Sequence, residues 1–575
     1  MHSSDDTIPH LHDVIIIGAG PCGLSVAARL RENTPSAIFT DEEHQRYHWI
    51  RRHGRRMSIM NYKNGSVKTA QQSQDNQEYS ILILDSSGNQ WMSRWNHFFR
   101  IFKISHLRSP MFFHVDPHDR DALLAYTYEC KREDELAEIR ACVGKEISKH
   151  QKKKRAKSVV HPEPAVNERD RKDYFTPSSS LFSQHCASVV DRYSLKEDEI
   201  KQEAVLDIDY DYVPLISEIN KTFSIKSDKG VHYARAVVLA VGAGNTPSIP
   251  GHPPGEKLEG ACHAMEIRTF PDPTLKSRID AKRHTNIVVV GGVKPFDLSL
   301  PWIGKFRNYH HSTFWTLPSG AQRHSLILSA RDGGSITPPF HKKLRAHIAN
   351  ARLSLHTHTT LTSRTFNPTT RTWRVETEPP IPTLEETEMD YIYFATGIAT
   401  DVAALPYLRT LRAKHPVTAV GGLPVLTPDL AWAPHVPLFV TGKLAALELG
   451  PGAANLAGAR SGAERVVWGL SEVLEGEGTE LVLRAGEKYV RGVGGRFECL
   501  GEEGEDSDIL EVAVADALRD KPVQGNHAML RGIEKVVEEV LVPRRGVRGW
   551  EEPQSRGEDV HVEKGDLSPG VEGGG

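Results

Sequence analysis

Residues 13–30, DVIIIGAGPCGLSVAARL, decide the fold of this chain. The apolar run 14–17 is too short for a helix and rich in β-branched side chains, which predicts a buried parallel strand. After it, Gly18 permits a tight strand-to-helix turn, Gly20 lets the backbone approach a pyrophosphate, and Gly23 lets the next helix pack closely. The amides at the N-terminus of that helix then point at the phosphates. The stretch therefore predicts a dinucleotide-binding βα unit.

The acid that such a unit needs is predicted at Asp41. A second strand over residues 37–39 leads into Asp41, whose carboxylate can bind the ribose hydroxyls, and Glu42 follows it. A turn of a parallel sheet that binds no ligand is the alternative, but it leaves the glycine pattern and Asp41 unexplained. Cys22, inside the turn, is expected to pack rather than react, because no partner cysteine follows at redox spacing.

Length and composition narrow the classes of function. The 575 residues are enough for two or more domains with room for a large cofactor. The formal net charge of -3 gives no reason to expect nucleic acid or an anionic membrane as a partner. The six cysteines form no CxxC pair, which fits a reducing compartment and argues against a disulfide reductase and a zinc site. The polar N-terminus and the short apolar runs predict a cytoplasmic protein without a membrane span.

A series of strand-like segments occurs twice along the chain. Each copy has a glycine-terminated strand, which is 14–18 in the first copy and 287–292, IVVVGG, in the second. The later segments are 204–209, 222–226 and 231–241 before Gly242 in the first copy, and 353–361, 372–377 and 390–395 before Thr396 and Gly397 in the second. Two copies predict two dinucleotide-binding units, one interrupted by the other.

The second unit is incomplete. A helix of roughly 10 or more residues should begin at the last glycine of a nucleotide-binding turn. Here Gly291 and Gly292 run into VKPFDLSLP, whose Pro301 would break such a helix. No second strand with an acid or an arginine follows at the usual distance. The hypothesis is that a segment with the helix and the next strand is absent from this chain, through a gene-model or splicing difference.

Two further segments each have two interpretations. Residues 91–117 are rich in aromatics and contain a turn with Arg108 and Ser109, so they are either a core helix with a turn or a wall of the cofactor pocket.

Before the acidic tail, Gly442 and the glycine-rich stretch 450–452 precede an alanine-rich helix. The N-terminus of that helix can stabilise negative charge on a bound cofactor ring. A closely packed core helix explains the same composition.

Taken together, these motifs resemble flavoproteins with two dinucleotide-binding domains, over about residues 12–470. Most similar are the N-hydroxylating monooxygenases of the ornithine and lysine type and the oxidative-stress-induced growth inhibitor-like proteins. The matching motifs are the FAD fingerprint Gly18, Gly20 and Gly23 with Asp41, the flavin-side aromatics Tyr47, His48 and Trp49, the turn LRSP at 107–110, the substrate-side segment DYFTP at 173–177, the linker FATG at 394–397, and the closing flavin helix at 450–460.

The resemblance implies an α/β fold, in which an FAD-binding Rossmann-type domain contains an inserted, apparently truncated NAD(P)-binding Rossmann-type domain. The expected domains are 1–270 and 401–470 for FAD, 271–400 for the truncated NAD(P)-binding-like part, and 471–575 for an acidic, partly disordered tail. The expected cofactor-binding residues are Gly18, Ala19, Gly20, Pro21, Cys22, Gly23, Asp41, Glu42, Trp49, Arg108, Ser109, Gly242, Gly291, Gly292, Thr396, Gly397, Gly442, Gly450 and Gly452. No catalytic residue and no metal ligand is assigned.

The resemblance also implies a reaction. NADPH would reduce FAD, and the reduced flavin would trap O2 as a hydroperoxide that transfers one oxygen to a small nucleophilic substrate. The family's GxGxxS/A turn is reduced here to Gly291 and Gly292, so FAD is expected and the use of NADPH is left open. A non-catalytic FAD-binding regulatory protein is the alternative from another class. A simple flavin reductase or oxidase is a third interpretation.

Overall fold

A computed structural model of the chain describes 9–32, 58–60, 67–69, 79–139, 171–242, 244, 247–253, 257–291, 293–294, 313–331, 334–335, 338–398 and 400–475. Residues 37–39, predicted as the second strand, lie outside these ranges, as do Asp41, Glu42, Trp49 and Gly292. Most of the predicted acidic tail also lies outside the described residues.

The larger sheet is built around the strand Leu11–Ile17. It pairs in parallel with Val231–Leu239 on one side and with Ile81–Leu84 on the other. Val436–Val440 lies next to Val231–Leu239, and Ile200–Lys201 lies next to Ile81–Leu84. Four residues of the first strand, 14–17, are buried, as expected for a strand inside a parallel sheet. The carboxyl ends of these strands meet at one edge, which is where ligands bind in open α/β sheets.

Antiparallel strands extend this sheet. Val205–Val213 and Ser217–Ser227 form a hairpin, and Ser217–Ser227 pairs in turn with Val231–Leu239. Ala431–Ala433 pairs with Val436–Val440 at the opposite side. The three strands that the sequence predicts for the first copy therefore form a meander, in which the first two strands are longer than predicted and the third ends two residues earlier.

Two helices pack together on one face of the larger sheet. The first helix, Pro21–Arg31, follows the glycine turn, and the closing helix, Leu456–Glu475, lies against it. A buried ion pair joins them, with 2.6 Å between Arg29 Nε and Glu464 Oε2. The remaining helices of four or more residues in the described ranges are Ser93–Ile101, Ala122–Glu129, Ser179–Arg192, Pro273–Asp280, Gly320–Arg331, Pro338–Ala349, Pro382–Glu385, Arg409–Lys414 and Ala446–Leu449, with the 3-10 turn Gly442–Ala445. No helix among the described residues is both long and apolar enough to cross a membrane.

The smaller sheet has three parallel strands. Tyr391–Phe394 is central and fully buried, and it pairs with Ala261–His263 and Ile287–Val290. One strand of this sheet, Ala261–His263, therefore comes from residues 1–270, the range that the sequence predicts for the FAD-binding domain. Ile287–Val290 is an edge strand, and its Val289 side chain is 65% exposed. Beside this sheet, Thr360–Asn367 and Thr372–Glu378 form an antiparallel hairpin.

Candidate functional site

The first glycine turn has the geometry that its sequence predicts. Gly18 has a φ of +111°, and a Cβ there would lie 2.6 Å from the carbonyl oxygen of Ala240. A Cβ on Gly23 would lie 2.0 Å from the carbonyl oxygen of Gly18, so only glycine lets the helix approach the strand this closely. At Gly20, by contrast, nothing lies within 4 Å of a Cβ position. The turn is therefore tight on its protein side and open on its outer side.

The start of the first helix is suited to an anion. Gly20 is the N-cap residue, Pro21 occupies the first turn, and no side chain among the described residues caps the helix. Because the first amides of a helix have no partner within it, they need an acceptor from outside. Together with the positive end of the helix dipole, these amides form a site for a phosphate.

Asp85, an acid outside the set predicted from the sequence, lies beside this turn. Ile81–Leu84 occupies the second-strand position of the sheet, and Asp85 follows it directly. The Ala19 amide donates to Asp85 Oδ2 at 2.7 Å, and the Gly18 amide donates to the Leu84 carbonyl at 2.8 Å. Asp85 thus stands where the ribose-binding acid of such a unit is expected. The signal was present in the sequence, since ILILD repeats the pattern of an apolar strand that ends in an acid.

Three of the predicted residues from separate segments meet at the same edge. A Cβ on Gly442 would lie 3.4 Å from both Cys22 Sγ and Gly242 Cα. Gly242 follows Val231–Leu239, which pairs with the first strand, and Gly442 follows Val436–Val440, which is the next strand of the sheet; both glycines have a positive φ. Burial raises the pKa of the Cys22 thiol to about 11, so this thiol is protonated at neutral pH. That agrees with a packing role for Cys22 and not with a nucleophile.

The LRSP and DYFTP motifs lie against each other. The Leu107 amide donates to the Pro177 carbonyl at 3.0 Å, and the Met111 amide donates to the Phe175 carbonyl at 2.9 Å. Arg108 is exposed and Ser109 is half-buried between these two anchored positions. The exposed Arg108 therefore lies on a turn whose flanking residues, Leu107 and Met111, are buried and held by hydrogen bonds.

The base of that turn contains buried polar groups. Asp116 is fully buried and bonds the Arg192 guanidinium. His185 lies 4.0 Å from Asp116 and is also fully buried. Burial, with the nearby charges of Arg192 and Arg460, lowers the pKa of His185 to about 3, so this imidazole is neutral at pH 7.

Thr396 and Gly397 lie at the connection between the two sheets. The Ser248 amide donates to the Gly397 carbonyl at 3.1 Å, and the Thr396 hydroxyl donates to the Ser248 carbonyl. An antiparallel bridge between Pro247 and Ile398 continues this pairing. These two residues are therefore part of the linker that the sequence motif predicts.

Gly450 and Gly452 lie between a short helix and the closing helix. Gly450 ends Ala446–Leu449 with a φ of +78°, and a Cβ on it would lie 3.4 Å from the ring of Phe314. Phe314 is fully buried, so this ring packs against the turn at Gly450. Around Gly452, the nearest atom to a Cβ position is 3.9 Å away.

The second glycine turn begins like the first and then differs from it. Gly291 follows its strand directly, as Gly18 does, and a Cβ on it would lie 2.8 Å from the carbonyl oxygen of Ala395, as a Cβ on Gly18 would lie 2.6 Å from that of Ala240. The chain then continues as the short strand Val293–Lys294, which pairs with Gly334–Ser335. In the part of the chain that the structure describes, no group of three His, Cys, Asp or Glu side chains could hold a metal ion.

No protein-family model and no curated protein sequence matches the chain. Solved structures do match. The ornithine hydroxylase from Pseudomonas aeruginosa is 15% identical, with a TM-score of 0.49 over 81% of this chain and 100% of that one. L-lysine 6-monooxygenase from Pseudomonas syringae is 17% identical, with a TM-score of 0.48 over 80% and 99%.

The ornithine N-hydroxylase from Kutzneria sp. 744, whose structure contains reduced FAD, NADP+ and L-ornithine, is 13% identical, with a TM-score of 0.48 over 80% of this chain and 99% of that one. The function is inferred below from the residues of this chain. The chain is similar to the ornithine and lysine N-hydroxylating flavin monooxygenases, as its motifs predict.

Proposed function

We propose that this chain is an FAD-dependent oxidoreductase that holds the FAD pyrophosphate on residues 18–23. The open space at Gly20 is the observation that carries the proposal, because it lies directly over uncapped helix amides. Gly18 and Gly23 support it, since each makes a close backbone contact that fixes the turn in this shape. A turn with only a structural role would need the two close contacts but not the open side.

Asp85 is the proposed ligand of the adenosine ribose. Its two carboxylate oxygens accept from the amides of Ala19 at 2.7 Å and Ser87 at 2.6 Å, which fixes the orientation of the carboxylate. An ionised carboxylate has about four acceptor positions, so each oxygen can also accept from a ribose hydroxyl. Asp41, Glu42 and Trp49 stay predictions as cofactor contacts, because they lie outside the described residues.

The flavin end of the cofactor is proposed to follow the carboxyl edge of the larger sheet. Gly242 and Gly442 support this path, because they lie beside Cys22 at the same edge as the pyrophosphate turn. A backbone without side chains leaves room there for an extended ligand. The other flavin-side residues that we propose are Arg108, Ser109, Thr396, Gly397, Gly450 and Gly452.

The proposed activity is monooxygenation of a small nucleophilic substrate. Bound FAD supplies the redox chemistry that allows one atom of O2 to be transferred. The residues of this chain bind the pyrophosphate, orient the ribose and keep water from the ring. Arg108 adds an exposed positive charge on a turn that is held by the Leu107 and Met111 amides, where it can orient an anionic group of the substrate. The motif resemblance to the N-hydroxylating enzymes supports this activity.

A second candidate is a non-catalytic FAD-binding regulatory protein. The strand Val293–Lys294 favours it, because a nicotinamide nucleotide would need a helix to begin after this glycine. The exposure of Val289 agrees with a sheet that lacks its covering layer. We propose that a segment with the helix and the next strand is absent from this chain between Gly292 and Lys294. Sequencing the transcript across these codons tests it, and a transcript that joins them as they stand here removes the gene-model explanation.

Cofactor binding is tested first, by purifying the recombinant chain and measuring its flavin content. We expect yellow protein with about one FAD per chain, or stoichiometric uptake after incubation with FAD. Protein that stays colourless in excess FAD would contradict the whole proposal.

The choice between the two candidates needs a second measurement. FAD-loaded protein is mixed anaerobically with NADPH and, separately, with NADH, while the flavin absorbance is recorded. Rapid bleaching by either donor supports the enzyme, and no bleaching by either supports the regulatory protein. Dithionite is the control, since it shows that the bound flavin can be reduced at all.

A further inference from the structure

The side chain of Glu448 connects the short helix Ala446–Leu449 to a distant segment of the chain. Its carboxylate accepts from Arg323 Nη1 at 2.8 Å, and the same nitrogen donates to the Leu447 carbonyl at 3.2 Å. This ion pair is largely buried, since 17% of the Glu448 side chain and 22% of the Arg323 side chain are exposed. Removing either partner would leave the other charge unbalanced in a site with little water.

The backbone of Glu448 is held as well. Its carbonyl accepts from Trp315 Nε1 at 3.1 Å and from Arg465 Nη1 at 3.3 Å. Arg465 belongs to the closing helix, and its guanidinium lies over the Trp315 ring, 5.9 Å from the centroid. The last carbonyls of a helix have no partner within it, so these side chains complete the end of the short helix where the chain enters the turn at Gly450.

The segment 313–331 reaches this place from the part of the sequence that is predicted to be NAD(P)-binding-like. Phe314 is fully buried, and its ring lies 3.4 Å from the Cβ position of Gly450. The Arg323 guanidinium lies over that ring, 5.7 Å from its centroid. One guanidinium therefore contacts both the carboxylate of Glu448 and the ring that packs against the next turn.

The charge of Glu448 needs a reason other than stability. Burial raises the pKa of this carboxyl group, and the guanidiniums of Arg323 and Arg465 oppose that shift. Burying a carboxylate is costly unless it is paired, and well-packed apolar residues in place of a buried ion pair are often as stable or more so. An ion pair differs from an apolar contact in that its hydrogen bonds fix the direction of the groups that it joins.

We infer that Glu448 is a positioning residue for the flavin. Through Arg323 it holds Phe314 against Gly450, and it thereby fixes the turn 450–452 in the shape that receives the ring. The inference rests on the proposed function, in which residues 450–452 lie beside the flavin. Gly450 has a φ of +78°, and glycine has many other conformations open to it. Without the ion pair, the turn would therefore leave this shape part of the time, and water would reach the ring.

The test uses Glu448→Gln, which keeps the size of the side chain and removes its charge. FAD-loaded, full-length protein is titrated with iodide while the fluorescence of the bound flavin is recorded. We expect the quenching constant to rise at least about twofold, because the site no longer excludes solvent as well. The flavin content in excess FAD should stay the same, because the pyrophosphate turn is unchanged. A role in stability alone would lower the midpoint of thermal unfolding and leave the quenching constant as it is.

Arg323 offers a matched pair of variants. Arg323→Met removes the cation, and we expect the quenching constant to rise as it does in Glu448→Gln. Arg323→Lys keeps a cation beside the carboxylate, so most of the wild-type value should be restored. Asp211→Asn is the control for the loss of a carboxylate charge, since Asp211 pairs with Lys414 in the meander part of the fold, and its quenching constant should equal that of the wild type.

Hydrogen exchange measures the same change without the cofactor. In FAD-free protein, the amides of residues 446–455 are expected to exchange faster in Glu448→Gln than in the wild type, because local opening becomes easier when a contact that holds the turn is lost. The amides of residues 14–17 lie in the buried strand of the larger sheet and serve as the internal reference.

Two results would overturn the positioning role. The first is a Glu448→Gln protein that holds FAD and has the wild-type quenching constant, whatever its stability. The second, which decides the matter if Glu448→Gln does not fold, is equal quenching in Arg323→Met and Arg323→Lys. Wild-type protein that takes up no FAD is a different result, because it contradicts the proposed function itself.

Discussion

The two glycine turns of this molecule begin alike and end differently. Each follows an apolar strand of a parallel sheet, but the first lies between two neighbouring strands and the second follows an edge strand. In both, the glycine that ends the strand faces a neighbouring carbonyl, that of Ala240 for Gly18 and that of Ala395 for Gly291. After the first, a helix begins with open space at Gly20, and after the second a short strand follows. In our proposal, a glycine after a strand makes a ligand site only where a helix start and a flanking acid complete it.

Burial shows the same contrast. Val14 is fully buried, because strands lie on both sides of it and helices cover its sheet. Val289, in the corresponding strand of the smaller sheet, is 65% exposed. Burying an apolar side chain stabilises a protein by about 1.5–3 kcal/mol, so the second strand gains far less from its apolar sequence than the first. An IVVV strand with an exposed face is what the proposed absence of a covering segment from a parallel sheet would leave.

The largest effect is expected from Gly23→Val. Its side chain would meet the Gly18 carbonyl, from which even a Cβ would be 2.0 Å away, so the helix must leave the strand. We expect a loss of about 3 kcal/mol or more in the free energy of unfolding, together with loss of FAD. Chemical denaturation and flavin content measure these two effects.

The matched change at the second turn is Gly291→Ala. It strains the contact with Ala395, but it should leave the flavin content unchanged, because this turn does not hold FAD in our proposal. Loss of FAD from the Gly291→Ala variant, without global unfolding, would show that the two turns are not as different as proposed.

Gly20→Val separates binding from folding at the first turn. Nothing lies within 4 Å of a Cβ at Gly20, so the substitution should leave the protein folded. The valine would occupy the space proposed for the pyrophosphate, and we expect FAD affinity to fall at least about 100-fold, or about 2.7 kcal/mol. Gly230→Ala, at another open glycine, is the control. If the Gly20→Val protein binds as much FAD as the wild type, the pyrophosphate does not lie at this turn.

Asp85→Asn tests the acid beside the turn. The amide keeps one acceptor oxygen for the Ala19 amide, but it loses the charge and half of the acceptor capacity for ribose. We expect FAD affinity to fall about tenfold, which is the usual scale for a hydrogen bond to a charged group. Titration of FAD-free protein with FAD, followed by flavin fluorescence, gives the affinity. The same titration of the Asp41→Asn variant decides between the two acids. A larger loss of FAD affinity in that variant would assign the ribose contact to Asp41.

The sequence predicts the first turn well because its determinants are local. A strand, three glycines and a helix lie within residues 13–30, so spacing alone defines them. The acid is less predictable, since Ile81–Leu84 takes the second-strand position through pairing with Leu11–Ile17, far away in the chain. The segment 37–39, which lies outside the described residues, is predicted from its distance along the sequence, and that distance carries no information about which strand pairs with Leu11–Ile17.

Other features depend on contacts that no local pattern contains. Residues 353–361 alternate like a strand, yet the strand begins only at Thr360, and Leu355 is 54% exposed. Alternating apolar and polar residues predict that one face of a strand can be buried. Whether that face is buried depends on pairing with a partner strand. Arg94 and Arg268 show the same dependence, because they come from separate segments of the sequence and yet line one cavity.

The smallest effect is expected from Val289→Thr, with Val14→Thr as its matched counterpart. Both changes replace a methyl group by a hydroxyl of similar size, so they differ in the surroundings of the side chain. At Val14 the hydroxyl is fully buried among apolar neighbours, and we expect a loss of about 1–3 kcal/mol in the free energy of unfolding. At Val289 water can satisfy the hydroxyl, and the change should stay within about 0.5 kcal/mol. Should a longer transcript encode a helix that covers this strand, the same Val289→Thr substitution in its product would cost about as much as Val14→Thr, because both hydroxyls would then be buried. Equal costs in the present chain would instead show that Val289 is already covered, and the contrast between the two sheets would be lost.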